Sequence, residues 1–169
     1  DMIKLSSLLG DVAHHHAVER GLSAGFLASN GARSSDALLA QRQRSDQSEQ
    51  AIKALTSEDF LALPQSELTS LLKPILDTLK NKAETRTKVD ALDLNNGAFS
   101  YYSEVNRRAL ASIKHVLFDV SDPEAAKILE SRLALLWMKE RVGQYRGALN
   151  GVFTQGSVTP KRKVEISAF

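Results

Sequence analysis

Cysteine is absent from the 169 residues, which excludes disulfides, thiolate catalysis and cysteine-based zinc sites while leaving the compartment open. Glycine and proline occur only 9 and 4 times and aromatics make up 6% of the chain, against 24 leucines and 20 alanines. That balance favours helix over sheet. An excess of charge is also missing: 22 Lys and Arg face 20 Asp and Glu, a formal balance of +2, so there is no electrostatic footprint for nucleic acid and no supercharged tail. The one local basic cluster, Lys161, Arg162 and Lys163, reads as a solvated helix start. No run approaches the roughly 20 apolar residues that span a bilayer, and no signal segment opens the chain. With 43% hydrophobic and 25% charged residues, a single folded domain over 1–169 is expected. The chain starts at Asp1 already in helical pattern and stops at Phe169 inside a new amphipathic stretch, so a piece of a longer protein is expected.

The pattern predicts an all-α antiparallel bundle of five to six helices around a four-helix core. Leu5, Leu8, Val12, His15, Leu22 and Phe26 fall at three- and four-residue steps and place the first helix from about Met2 to Ser29, with Asn30-Gly31 as its stop. A second helix opens at Ser34 or Ser35 as N-cap, ahead of Asp36, and runs to about Leu55. A third covers about Gln65 to Leu92, with Pro74 kinking or dividing it near Lys73. Asn95-Asn96-Gly97 precedes a fourth, about Ala98 to Val120. Ser121-Asp122-Pro123-Glu124 caps a fifth that reaches about Phe153. Thr159-Pro160 starts a sixth.

Nothing in the sequence resembles an activated nucleophile or a paired-carboxylate site, so no enzyme and no cofactor are expected. His14-His15-His16 is no metal motif, because consecutive helical residues point about 100° apart. The small residues are more informative. Ala17, Gly21 and Gly25 lie four apart, as do Gly143, Gly147 and Gly151, although an interior helical glycine costs about 1 kcal/mol against alanine. Such stripes let a neighbouring helix or a ligand come close, and the sequence leaves both readings open.

Three arginines share a tier. At about 1.5 Å per residue, Arg20, Arg42 and Arg146 lie about 13, 10 and 11 Å from one pole of an up-and-down bundle. A guanidinium is rarely buried without a partner. Glu19, Asp46 and Glu140 are candidate internal counterions; the alternative is a small planar oxyanion gripped by planar forks.

The blocks Val18-Glu-Arg-Gly-Leu-Ser-Ala-Gly-Phe-Leu27, Gln41-Arg-Gln-Arg-Ser-Asp46, Tyr101-Tyr-Ser-Glu-Val-Asn106 and Lys139-Glu-Arg-Val-Gly-Gln-Tyr-Arg146 resemble, in this order, the nitrate- and nitrite-sensing (NIT) domain. The resemblance implies an all-helical sensor that binds nitrate or nitrite through family arginines. Arg20 and Arg146 match motif positions, and Arg42 and Arg141 fall in the matching neighbourhoods. Ser23, Gly21 and Gly143 complete the ligand-binding set expected here. The resemblance further implies a homodimer in the extracytoplasmic, periplasmic part of a membrane-anchored receptor of the chemotaxis, kinase or cyclase type, or a cytosolic antiterminator. Tyr145 departs from the Glu that the family often has, and the domain's usual last helices lie beyond Phe169. The alternative of a different class is a helical dimerisation module, or a sensor for another ligand, whose arginines are internally paired.

Overall fold

The computed structural model describes residues 2–56, 59, 63–118, 120–155, 158 and 160–167, with the backbone alone at 150, 151, 153–155, 161, 162 and 165. These residues form α1 (Met2–Ala28), α2 (Ser35–Lys53), α3 (Gln65–Leu79), α4 (Lys82–Asp90), α5 (Ala98–Phe118), α6 (Pro123–Gln155) and α7 (Pro160–Ser167). The all-helical expectation holds, with no strand among the described residues. Among the described residues, no helix is long and apolar enough to cross a membrane.

Local chemistry sets most boundaries. At the end of α1 the Gly31 N–H donates to Phe26 O at 2.9 Å and the Asn30 N–H to Leu27 O at 3.1 Å, with φ of 81° and 50° at Gly31 and Asn30, a left-handed stop that satisfies the last carbonyls. Ser34 takes the N-cap position of α2 as expected, but at φ 68° and without a side-chain cap bond, because the turn holds its hydroxyl against α1, 3.5 Å from where a Cβ on Gly25 would lie. The cap of α6 is Asp122, whose Oδ1 accepts from the Glu124 N–H at 3.0 Å; α5 is capped by Asn96, whose Oδ1 accepts from the Ala98 N–H at 2.9 Å. The cap expected at Thr159 lies outside the described residues.

Pro74 does not divide the third helix, which is a correction. It lies inside α3, and the carbonyl it leaves unpaired belongs to solvent-exposed Ser70, where water meets the loss at little cost. The break falls instead at Lys80-Asn81, raising the count among the described residues to seven helices and freeing α4 to take its own direction.

Helix α1 packs against α2, α5 and α6, and α5 also receives α3, α4 and α6. Leu5, Leu9 and Val12 of α1 are fully buried with Ile75 of α3 and Val105 of α5 in the larger apolar cluster; each such side chain contributes about 1.5–3 kcal/mol. A smaller cluster joins Leu38, Val89, Ala98 and Tyr102 to Leu22, Phe26 and Leu27. Along α1, buried His16, Glu19, Arg20 and Ser23 follow the stretch that builds the larger cluster. This polar layer carries the site.

Candidate functional site

Glu19 and Arg20 are adjacent on α1, both buried, and helical geometry aims them about 100° apart. Each charge therefore meets a different set of helices.

Arg20 turns toward α5 and α6. Its Nη1 donates to Glu140 Oε1 at 2.5 Å and to Ser103 Oγ at 2.8 Å, and its Nη2 to Glu140 Oε2 at 3.2 Å. The guanidinium lies 5.2 Å from the centre of the Phe99 ring, within cation–π range. Glu140 is held further by the amides of Asn106, at 2.7 Å, and Gln144, at 2.6 Å. The glycines of α6 make this possible. A Cβ on Gly143 would stand 3.0 Å from Arg20 Nη2, and one on Gly147 2.7 Å from Phe99 Cε2, so their stripe serves close packing. Gly21 differs, since a Cβ there meets nothing within 4 Å.

Beside this pair a groove of about 740 Å³ opens between α1 and α6, with Phe99 of α5 also lining it. Arg20, Gly21, Gly143 and Arg146 all line it. Arg146 is exposed there and has no hydrogen-bond or ion-pair partner among the described residues. Four of the seven expected ligand residues thus come together. Ser23 is buried and lies outside the lining. Arg141 is exposed and also outside it, because α6 turns it away from α1. Arg42 keeps the expected level, with its Nε 3.8 Å from Glu19, but does not share the side of Arg20 and Arg146. Its Nη1 and Nη2 donate to Asp90 at 3.0 and 2.8 Å, on the α2/α4 side of α1.

Glu19 anchors that other side. Its oxygens accept from Arg86 Nε at 2.8 Å, Arg86 Nη2 at 3.0 Å and Tyr102 Oη at 2.7 Å, with Arg42 at 3.8 Å. Arg86 Nη1 also donates to Asp46 at 2.9 and 3.0 Å, and Lys82 bridges Asp46, at 2.5 Å, and Glu49. Burial pushes the Glu19 carboxyl up, but hydrogen bonds from Arg86, Ser45 and Tyr102 outweigh it and hold the group below the usual carboxylate range. Arg86 carries this layer and is absent from the residues expected from the sequence; the available signal was its place three before Val89 on the same helical face.

His14, His15 and His16 each bond separately: His14 Nδ1 with Lys139 at 2.7 Å, His15 Nδ1 with Gln41 at 3.2 Å, and His16 Nδ1 with Val12 O at 2.8 Å. No metal-holding group of carboxylates and histidines occurs among the described residues. Burial drives the His16 imidazole down to about 4, against the opposing pull of the Val12 carbonyl and Glu19. It is neutral in the fold, whereas the unfolded chain takes up the proton near pH 6.5. Stability should therefore fall as pH drops from about 6.5 to 4, by roughly 3 kcal/mol at most. The paired carboxylates act lower, losing their contribution as pH falls through their depressed values. Urea titrations at stepped pH check this: His16→Asn should flatten the dependence above pH 4.5, and an unchanged slope would refute the assignment.

With this geometry in place, the family model described as nitrate and nitrite sensing matches residues 11–169. The chain belongs to the nitrate- and nitrite-sensing family. No curated protein sequence matches it significantly. Among solved structures, that of the NasR transcription antiterminator superposes with a TM-score of 0.87 at 20% identity, over 96% of this chain and 44% of that one. The two share a fold, and this chain spans less than half the length of that protein. Family membership places the chain among sensing domains and away from catalysis.

Proposed function

We propose that this chain is a single sensor domain that takes up nitrate or nitrite in the α1/α6 groove, with Arg20 as the principal grip and Arg146 as the second donor. The observation that carries this reading is the state of the two arginines on one groove: Arg20 is held by a carboxylate, and Arg146 lacks any partner among the described residues. A carboxylate presents two coplanar oxygens to a guanidinium, and nitrate and nitrite present the same pair. An anion entering the groove therefore competes with Glu140 for Arg20. Once displaced, Glu140 keeps the amides of Asn106 and Gln144, while the tie from α1 to α6 passes through the anion. A shift of a few kcal/mol between two packings suffices to switch an output.

In the full-length protein we place this domain in a membrane-anchored receptor of the chemotaxis type, acting as a parallel homodimer on the extracytoplasmic side and binding no nucleic acid. An antiterminator-type protein in the cytoplasm is the second assignment, favoured by the fold it shares with the NasR transcription antiterminator. A helical dimerisation module without small ligand is a third, and the carboxylate partners of Arg20 and Arg42 favour it.

The competition is testable at Glu140. Glu140→Gln removes the internal anion and should lower stability without ligand while raising nitrate affinity severalfold in calorimetry. A weakened nitrate affinity, or none in either protein, would count against the exchange.

A further inference from the structure

The α1/α6 groove is far larger than a nitrate ion. Its volume of about 740 Å³ matches sites that enclose whole organic ligands, about 300–1,000 Å³, whereas a water claims about 30 Å³ and a four-atom anion only a few times that. Its walls are also apolar. Val18 and Leu22 of α1 line it together with Leu136, Val142 and Leu149 of α6, all of them at least partly open to solvent. Between them the α1 wall is reduced to Ala17 and Gly21. A Cβ added at Gly21 would meet nothing within 4 Å, so the space beside that wall is open. Such a surface stays wet until a ligand with an apolar body covers it.

Charge says which end such a ligand carries. Arg20, Lys139 and Arg146 all line the groove, and Glu140, the one carboxylate among the described lining residues, is already spanned by Arg20. Lys139 Nζ meets His14 Nδ1 at 2.7 Å and, like Arg146, no carboxylate among the described residues. Val142 stands four residues before Arg146, on the same side of α6. An inorganic oxyanion would satisfy the donors and leave the apolar wall bare. The carboxylate of a hydrocarbon acid presents the same two coplanar oxygens, and its chain covers that wall. We propose that the groove binds organic monocarboxylates with an alkyl body more tightly than nitrate, the carboxylate on Arg146 and Arg20 and the chain along Val142 and Val18. The inference rests on the reading of these two arginines as the anion grip and extends it to a larger ligand class.

Calorimetry of this chain with nitrate, acetate, butyrate and hexanoate tests it. Affinity should rise roughly two- to fourfold for each methylene added from acetate to hexanoate, and hexanoate should displace nitrate. Val142 is 60% exposed, so Val142→Gln should keep native circular dichroism while putting an amide on the apolar wall. It should flatten the chain-length series and leave nitrate and acetate affinities unchanged, whereas Val142→Leu should preserve the series. Nitrate binding with no gain from acetate to hexanoate, or a series that Val142→Gln leaves intact, would overturn the inference while the anion reading stands. A rising carboxylate series without nitrate binding would support the inference and sink the nitrate assignment alone. Binding of none of the four anions would overturn both. Sedimentation supplies the remaining arm: a dimer of the chain that Val142→Gln dissociates and hexanoate does not would assign the groove to a second copy and overturn the inference.

Discussion

Replacing Glu19 by alanine should lower the unfolding free energy by about 3–5 kcal/mol, the range for removing one member of a buried ion pair. The reason is the number of groups the carboxylate satisfies. It has no exposed surface and accepts two bonds from Arg86 and one from Tyr102, so its loss leaves a guanidinium short of charge and strips the phenol of its acceptor. Asp46 would still hold one edge of Arg86, which keeps the loss within that range. For a chain of this size the melting temperature should fall by roughly 6–20 °C. Glu19→Gln should cost nearly as much, because an amide brings a donor against the donors of Arg86. Urea denaturation measures both. A cost under 1 kcal/mol would show that the polar layer contributes specificity rather than stability.

The second large effect is expected at Arg20. If it grips nitrate through paired donors, Arg20→Lys keeps the charge but not the fork, and affinity should drop about ten- to a hundredfold, roughly 1.5–3 kcal/mol. The same guanidinium also spans both oxygens of Glu140 and lies on Phe99, so stability without ligand should fall as well. Arg146→Lys separates the two contributions: Arg146 is exposed on the groove, and its replacement should weaken nitrate binding with the ligand-free melting temperature unchanged. Calorimetry and thermal melts on both variants decide between the readings. Affinity preserved in both variants, with stability lost in Arg20→Lys, would leave Arg20 a structural ion-pair partner and nothing more.

The partnership of Arg20 with Glu140 was among the pairings that the sequence left open, and the fold selected it across 120 residues of chain. Sequence determined the helices themselves. Apolar spacing along α1, the Asn30-Gly31 stop, the Asp122-Pro123 start and the glycine stripe of α6 are all local signals, fixed by backbone conformation and by bonds within a turn or two. It also sufficed to put Arg20 and Arg146 on one candidate surface, because an antiparallel bundle converts position along the chain into height. What height cannot give is direction around a helix axis. Arg42 shares the expected level yet faces Asp90 on the far side of α1, and Arg141 faces away from the groove, since one residue along a helix turns the side chain by about 100°. The break at Lys80-Asn81 was hidden for a related reason: Pro74 is the stronger local breaker, but the carbonyl it leaves unpaired, that of Ser70, lies on an exposed turn where water satisfies it. The role of Arg86 was hidden too, because only the packing of α4 on α5 brings its side chain within reach of Glu19 and Asp46. Partner choice among buried charges belongs to tertiary structure because desolvation makes each pairing depend on every group enclosed with it.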